Sequence, residues 1–210
     1  MTKDELIKSL QRSIDCLQRL YALLLALAAN EMFKRFIDRP AGSNHPQYHW
    51  DWLPDVLTFV FTLVPVYHGM HRHLDRTYST PVRGKQRSSL RRFFVIDIAL
   101  NWLAFILFFI LQLNVGLREF IIYFAAILFV NSLWGIAASF APQGEFIASW
   151  AILNCVATFL AFILGLSQDL VPDGKTLHWT VAGIAIVRTL LDYGLAWDVY
   201  FPPKPDDATW

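Results

Sequence analysis

The stretch that decides the fold is residues 93–113, FFVIDIALNWLAFILFFILQL. A helix rises 1.5 Å per residue, so about 20 apolar residues match a hydrocarbon core roughly 30 Å thick. This stretch has that length and a single charge, Asp97. Its apolar residues lack the period-two alternation of a membrane barrel strand. In lipid the backbone must satisfy its own hydrogen bonds, which a helix does within one segment. Residues 93–113 therefore read as a transmembrane helix.

Working outward, residues 52–70, 120–140, 146–166 and 177–197 read the same way. A sixth segment is weaker. Residues 21–29 are apolar but short, and extending them to 14–33 brings in Asp15, Arg19 and Glu31. Upstream, Leu6, Leu10, Ile14, Leu17 and Leu20 recur at spacings of three and four, an amphipathic helical face. One helix over 4–36 is expected, amphipathic over 4–20 and spanning over 14–33. A signal peptide ending near Ala26-Leu27-Ala28 is the rival, opposed by a long leader that carries Asp4, Glu5 and Asp15. The expected fold class is all-α: a polytopic membrane helical bundle of about six transmembrane helices, forming one domain over 1–210.

Composition agrees. Of 210 residues, 55% are hydrophobic and 17% charged, against roughly 25% charged in a soluble domain. Mean hydropathy is +0.39. A disordered chain and a basic nucleic-acid-binding domain are excluded. A net charge of +1 creates no strong field for an acidic partner. Cys16 and Cys155 make no disulfide framework.

Lysine and arginine in short loops set orientation. The segment 71–92 carries Arg72, Arg76, Arg83, Lys85, Arg87, Arg91 and Arg92 and is expected as a basic cytoplasmic loop. With six spans both termini are then cytoplasmic. Trp50, Trp52, Trp179, Trp197 and Tyr200 fall at span boundaries, as an aromatic belt would. Residues 37–51, rich in Pro, Gly, Asn and His, are expected to form an irregular external loop.

Polar residues inside the spans need a partner or a purpose. Asp97 and Asn101 share one helical face, and Arg188 and Asp192 are four apart and able to pair. Asn131, Ser132 and Asn154 lie in other spans. In the expected topology Asp97, Asn154 and Asp192 fall in the cytoplasmic halves, with Asn101, Asn131 and Arg188 near the middle. The outer stretches 56–64, 103–111 and 156–164 hold nothing more polar than threonine. This arrangement predicts a polar vestibule that opens inward and is sealed outward, although asparagine, serine and Arg–Asp pairs also serve as interhelical glue.

In YHGMHRHLDRTY (67–78), His68, His71 and Asp75 make one stripe if the helix continues past Met70. Such a stripe offers ligands for zinc or iron, or a proton site. No cofactor is firmly implied, and HExxH is absent. Arg72, Arg76, Arg83, Lys85 and Arg87 offer contacts for anionic lipid or a phosphorylated ligand, beyond serving the positive-inside rule. No Walker loop, GxGxxG or GxSxG occurs. In size and layout alone, the chain is similar to small multi-pass effectors and accessory proteins of bacterial defence systems. That likeness carries no residue across.

Three readings follow. The first is an oligomeric inner-membrane channel or pore-type effector, with a cytoplasm-facing polar vestibule and an apolar outer gate. The second is an intramembrane His/Asp metalloenzyme acting on a lipid-like substrate, placed behind the first for want of a catalytic signature. The third is a non-catalytic membrane partner subunit. Expected partners are the bilayer, further copies of the chain and a cytoplasmic ligand at the basic loop. No nucleic acid is expected.

Overall fold

The computed structural model describes residues 3–38, 45–78, 86–139, 147–167 and 174–201, and nearly all of them are helical. The helices are α1 (Lys3–Phe36), α2 (Leu53–Tyr78), α3 (Gln86–Leu113), α4 (Arg118–Ser139), α5 (Ile147–Leu166), α6 (Gly174–Leu195) and the short α7 (Trp197–Tyr200). Three segments, Trp50–Asp75, Phe93–Leu113 and Arg118–Ser139, are long and apolar enough to cross a membrane. A shorter apolar helix covers Trp150–Leu166.

Two expectations need correction. The segment 37–51 is not wholly irregular. Strands β1 (Ile37–Asp38) and β2 (Gln47–Tyr48) pair antiparallel, and a 3₁₀ turn covers Trp50–Trp52. Phe36, Tyr48 and Trp50 gather their rings there, which gives the small hairpin an apolar anchor. The segment 71–92 is likewise mostly helical. α2 runs on to Tyr78, past the apolar stretch and through Pro65. α3 begins at Gln86. Arg72 is thus a half-buried helical residue, and Arg76 and Arg87 lie on helices. Arg83 and Lys85 lie outside the described residues.

α2, α3, α4, α5 and α6 close a ring, and α1 lies against α2 and α3. α1 buries a single stripe, Ile14, Gln18, Tyr21, Leu25, Ala28 and Met32, at alternating spacings of four and three. That seam-like pattern is what one face of a helix presents to neighbours. Leu23 and Leu27, on the other side, are exposed. The buried apolar core includes Phe59, Phe108, Phe124, Leu128, Ala161 and Ala185, and Phe105 packs against Tyr21 of α1 at 4.6 Å. Phe59 and Phe108 meet edge to face at 5.6 Å. Ala157 and Ala161, a small-xxx-small pair, are buried in this core and serve packing within the chain.

α2 carries Pro65 in its interior. Proline has no N–H, so the Phe61 carbonyl one turn back loses its helical donor. The Thr189 hydroxyl of α6 donates to that carbonyl instead. An unmatched buried carbonyl costs about 1–3 kcal/mol. Thr189→Val should therefore lower stability by about 1–2 kcal/mol in detergent-solubilised unfolding, while Thr189→Ser stays close to the parent. Equal losses in both variants would show that the hydroxyl does not serve this carbonyl.

Candidate functional site

The helical extension of α2 decides the site. At one end of the bundle, Asp97 of α3 is 2% exposed and takes three donors from two neighbouring helices. His73 Nε2 of α2 lies 3.0 Å from its Oδ2. The Tyr78 hydroxyl of α2 donates to the same oxygen. Trp134 Nε1 of α4 donates to Oδ1 at 3.1 Å. Thr77 bonds the other His73 nitrogen at 3.3 Å.

A parallel arrangement surrounds Asp192 of α6. Trp150 Nε1 of α5 donates to its Oδ2 at 3.1 Å, and the Tyr200 hydroxyl of α7 donates at 3.0 Å. Arg188 Nη2 lies 3.4 Å from that oxygen, and the guanidinium sits 5.9 Å from the centre of the Trp150 ring. Each buried carboxyl thus receives one indole N–H and one phenol O–H. The two indoles meet edge to face at 5.0 Å, which joins the clusters into one layer. A buried tryptophan needs a partner for its N–H, and a buried carboxyl needs donors, so each supplies the other's requirement.

Four further polar residues of the spans turn inward, whereas Asp15, Arg19 and Thr180 are exposed. Asn101, Asn131, Ser132 and Asn154 are buried, and each donates to the carbonyl four residues back on its own helix. Asn154 leaves its Oδ1 unpartnered among the described residues. Asp97, Arg188 and Asp192 are therefore brought to one layer. The four short polar side chains are helix-bonded residues within the packing.

The stripe His68, His71, Asp75 is helical but divided. His68 Nδ1 lies 3.2 Å from the Tyr193 hydroxyl, and its ring packs 4.8 Å from Tyr200. His71 is 4.0 Å from Asp75, which also accepts from Gln18 of α1 at 2.8 Å. Among the described residues no group of three or more His, Cys, Asp or Glu is placed to hold a metal ion.

A second polar layer closes the opposite end. Asp55, 1% exposed, pairs with His178 of α6 and accepts the Gly116 backbone N–H at 2.7 Å. Gly116 has φ 75°, and a Cβ there would lie 2.7 Å from Trp52 Nε1, so only glycine fits this turn between α3 and α4. His73 lies eighteen positions after Asp55 along α2, about 27 Å of helix at 1.5 Å per residue. That is close to the thickness of a hydrocarbon core.

Sequence reasoning did not find His73, Tyr78, Trp134, Trp150, Tyr200 and the Asp55–His178 pair as site residues. Trp134 and Trp150 carried a usable signal, since an indole N–H buried in an apolar segment demands an acceptor. The fold and site together define a class: a helical bundle with three helices of membrane-crossing length and two buried carboxyls bridged by tryptophans. Comparison with known proteins yields no matching family model, curated protein or solved structure.

Burial first, and the Asp97 charge and hydrogen bond next, hold the Tyr78 phenol above its ordinary range. Burial first and Asp192 next do the same for Tyr200. The folded state favours the neutral phenols, so their contribution is complete below the unfolded value of about 10 and is lost as pH rises beyond it. Absorbance titration should leave these two of the seven tyrosines un-ionised well above pH about 10 until the protein unfolds. Tyr78→Phe and Tyr200→Phe should each leave the titratable amplitude of the folded protein unchanged; a drop would contradict their assignment.

Proposed function

We propose that the chain is a six-span membrane protein with both termini in the cytoplasm, working as an oligomeric channel or pore-type effector that is closed in the form described. α1 to α6 are the spans. The basic 79–92 region, the Asp97–Asp192 layer and α7 lie toward the cytoplasm, and the Asp55–His178 layer lies outward. A bacterial inner membrane is the setting that this reading takes.

One observation carries the reading. A ring of helices packs around a buried core rich in phenylalanine, with a pair of ionisable groups toward each end. Apolar constrictions gate by excluding water, and charged layers at their ends set which ions approach. Phe59, Phe108 and Phe124 would supply the constriction. Exposed apolar side chains of α5, among them Ile152, Val156, Phe159 and Ile163, supply an outer face for lipid or a second protomer.

A second reading, a non-catalytic partner subunit, is favoured by the complete matching of Asp97 by donors of its own chain. Liposome flux separates the two. The channel reading predicts that Phe108→Ala raises ion flux by about tenfold or more by wetting the constriction. It also predicts that Asp97→Asn raises flux at neutral pH. Absence of flux in wild type and both variants, across pH and in vesicles with anionic lipid, would overturn it in favour of the partner subunit.

A further inference from the structure

Arg188 is 2% exposed, and its Nε, Nη1 and Nη2 have no hydrogen-bond partner among the described residues. Among the described residues the acidic group beside it is Asp192, at 3.4 Å. That contact is an ion pair without hydrogen-bond alignment. Asp192 Oδ2 is instead taken by Trp150 and Tyr200, and its Oδ1 is left unpartnered. Buried guanidinium groups normally commit their donor fork to an acceptor. Here the whole fork is uncommitted, while the charge is balanced by a carboxylate held by other groups.

We propose that Arg188 is a binding site for a small monovalent anion of the halide class, with the Asp192 carboxylate as its resident competitor. Guanidinium charge selects an anion. A single arginine already facing one carboxylate selects a monovalent ion over a phosphate. Full burial of Arg188 and Asn154 selects a small one. The Trp150 ring lies against the guanidinium, and Asn154 is one turn along α5 from it. When a proton neutralises Asp192, the guanidinium loses its counter-charge and an anion replaces it, so one proton and one anion enter together with no net change in charge. Tyr200 closes the layer from the α7 side. It is buried, bonded to Asp192, and its hydroxyl lies 3.2 Å from where a Cβ on Gly69 would stand.

The titratable and charged groups that face Asp192 are Arg188 and Tyr193 on α6, Tyr200 on α7, and His68 on α2 through its bond to Tyr193. α5 contributes the neutral Trp150 and Asn154. The site stands on this cluster and not on conduction, so it is tested by equilibrium binding and is independent of whether the chain carries ions.

The probe is iodide, exchanged against gluconate at constant ionic strength, with the full chain in lipid nanodiscs and tryptophan fluorescence as readout. Iodide beside Trp150 gives a saturable quenching phase, distinct from the linear collisional quenching of exposed tryptophans. The phase should strengthen as pH is lowered, because a proton on Asp192 removes the competing charge. Asp192→Asn should saturate at about tenfold lower iodide at pH about 8 and lose the pH dependence. Arg188→Gln should abolish the saturable phase. Purely linear quenching that is identical in wild type and Asp192→Asn would overturn the proposal, as would a saturable phase that survives Arg188→Gln. A pH dependence undiminished in Asp192→Asn would overturn the exchange and assign the titration to His68. The Asp192→Asn comparison decides even where Arg188→Gln fails to fold.

Discussion

A carboxyl group cannot sit in an apolar core without donors, and one end of this bundle is organised by that requirement. Asp97 takes its donors from α2 and α4 while belonging to α3. Its matching therefore fixes how far α2 must run, since His73 and Tyr78 lie beyond the apolar stretch that sequence alone assigns to the membrane. It also fixes the orientation of Trp134, whose ring then sets the position of Trp150. Trp150 in turn holds Asp192. Six helices, α2 to α7, thus share one polar layer through two carboxyls and two indoles. Removing one carboxyl would leave three buried donors unmatched, whereas an apolar core would tolerate the loss of one contact more easily.

The apolar architecture was legible before the structure. The run 93–113 gave a membrane-length helix because length and hydropathy suffice for that inference. The single long α1 was also legible, since Ile14 and Leu17 repeat at helical spacing and nothing breaks the run before Phe36. The gathering of Asp97, Arg188 and Asp192 in one layer followed from cost, because such groups are rarely left inside a membrane without partners. Their partners were not legible. His73 lies between His71 and Asp75 in sequence, and only the rotation of α2 against α3 decides which of these residues meets Asp97. The Thr189 bond to the Phe61 carbonyl needed the pairing of α2 with α6, although Pro65 announced that some donor was required.

The distribution of polarity along the bundle links packing to the functional reading. Asp55 and His178 stand at one end and the carboxyl–indole layer at the other, with phenylalanines between. Interface-depth polar layers are less costly than midplane charges, because water and headgroups reach them more easily. A change that loosens the inner layer would move α2, α4 and α5 together, since all three are tied to it. The Arg188 fork, with Asp192 Oδ1 beside it, is the unmatched part of the layer, and it is where the bundle retains capacity to bind.

The central claim is that Asp97 and Asp192 act as one unit through the Trp134–Trp150 contact. A double-mutant cycle tests it directly, with Asp97→Asn, Asp192→Asn and the double variant unfolded by denaturant in the same detergent. The account predicts a coupling energy above about 0.5 kcal/mol, as for residues of one network. Additivity within about 0.3 kcal/mol, the behaviour of independent sites, would contradict it.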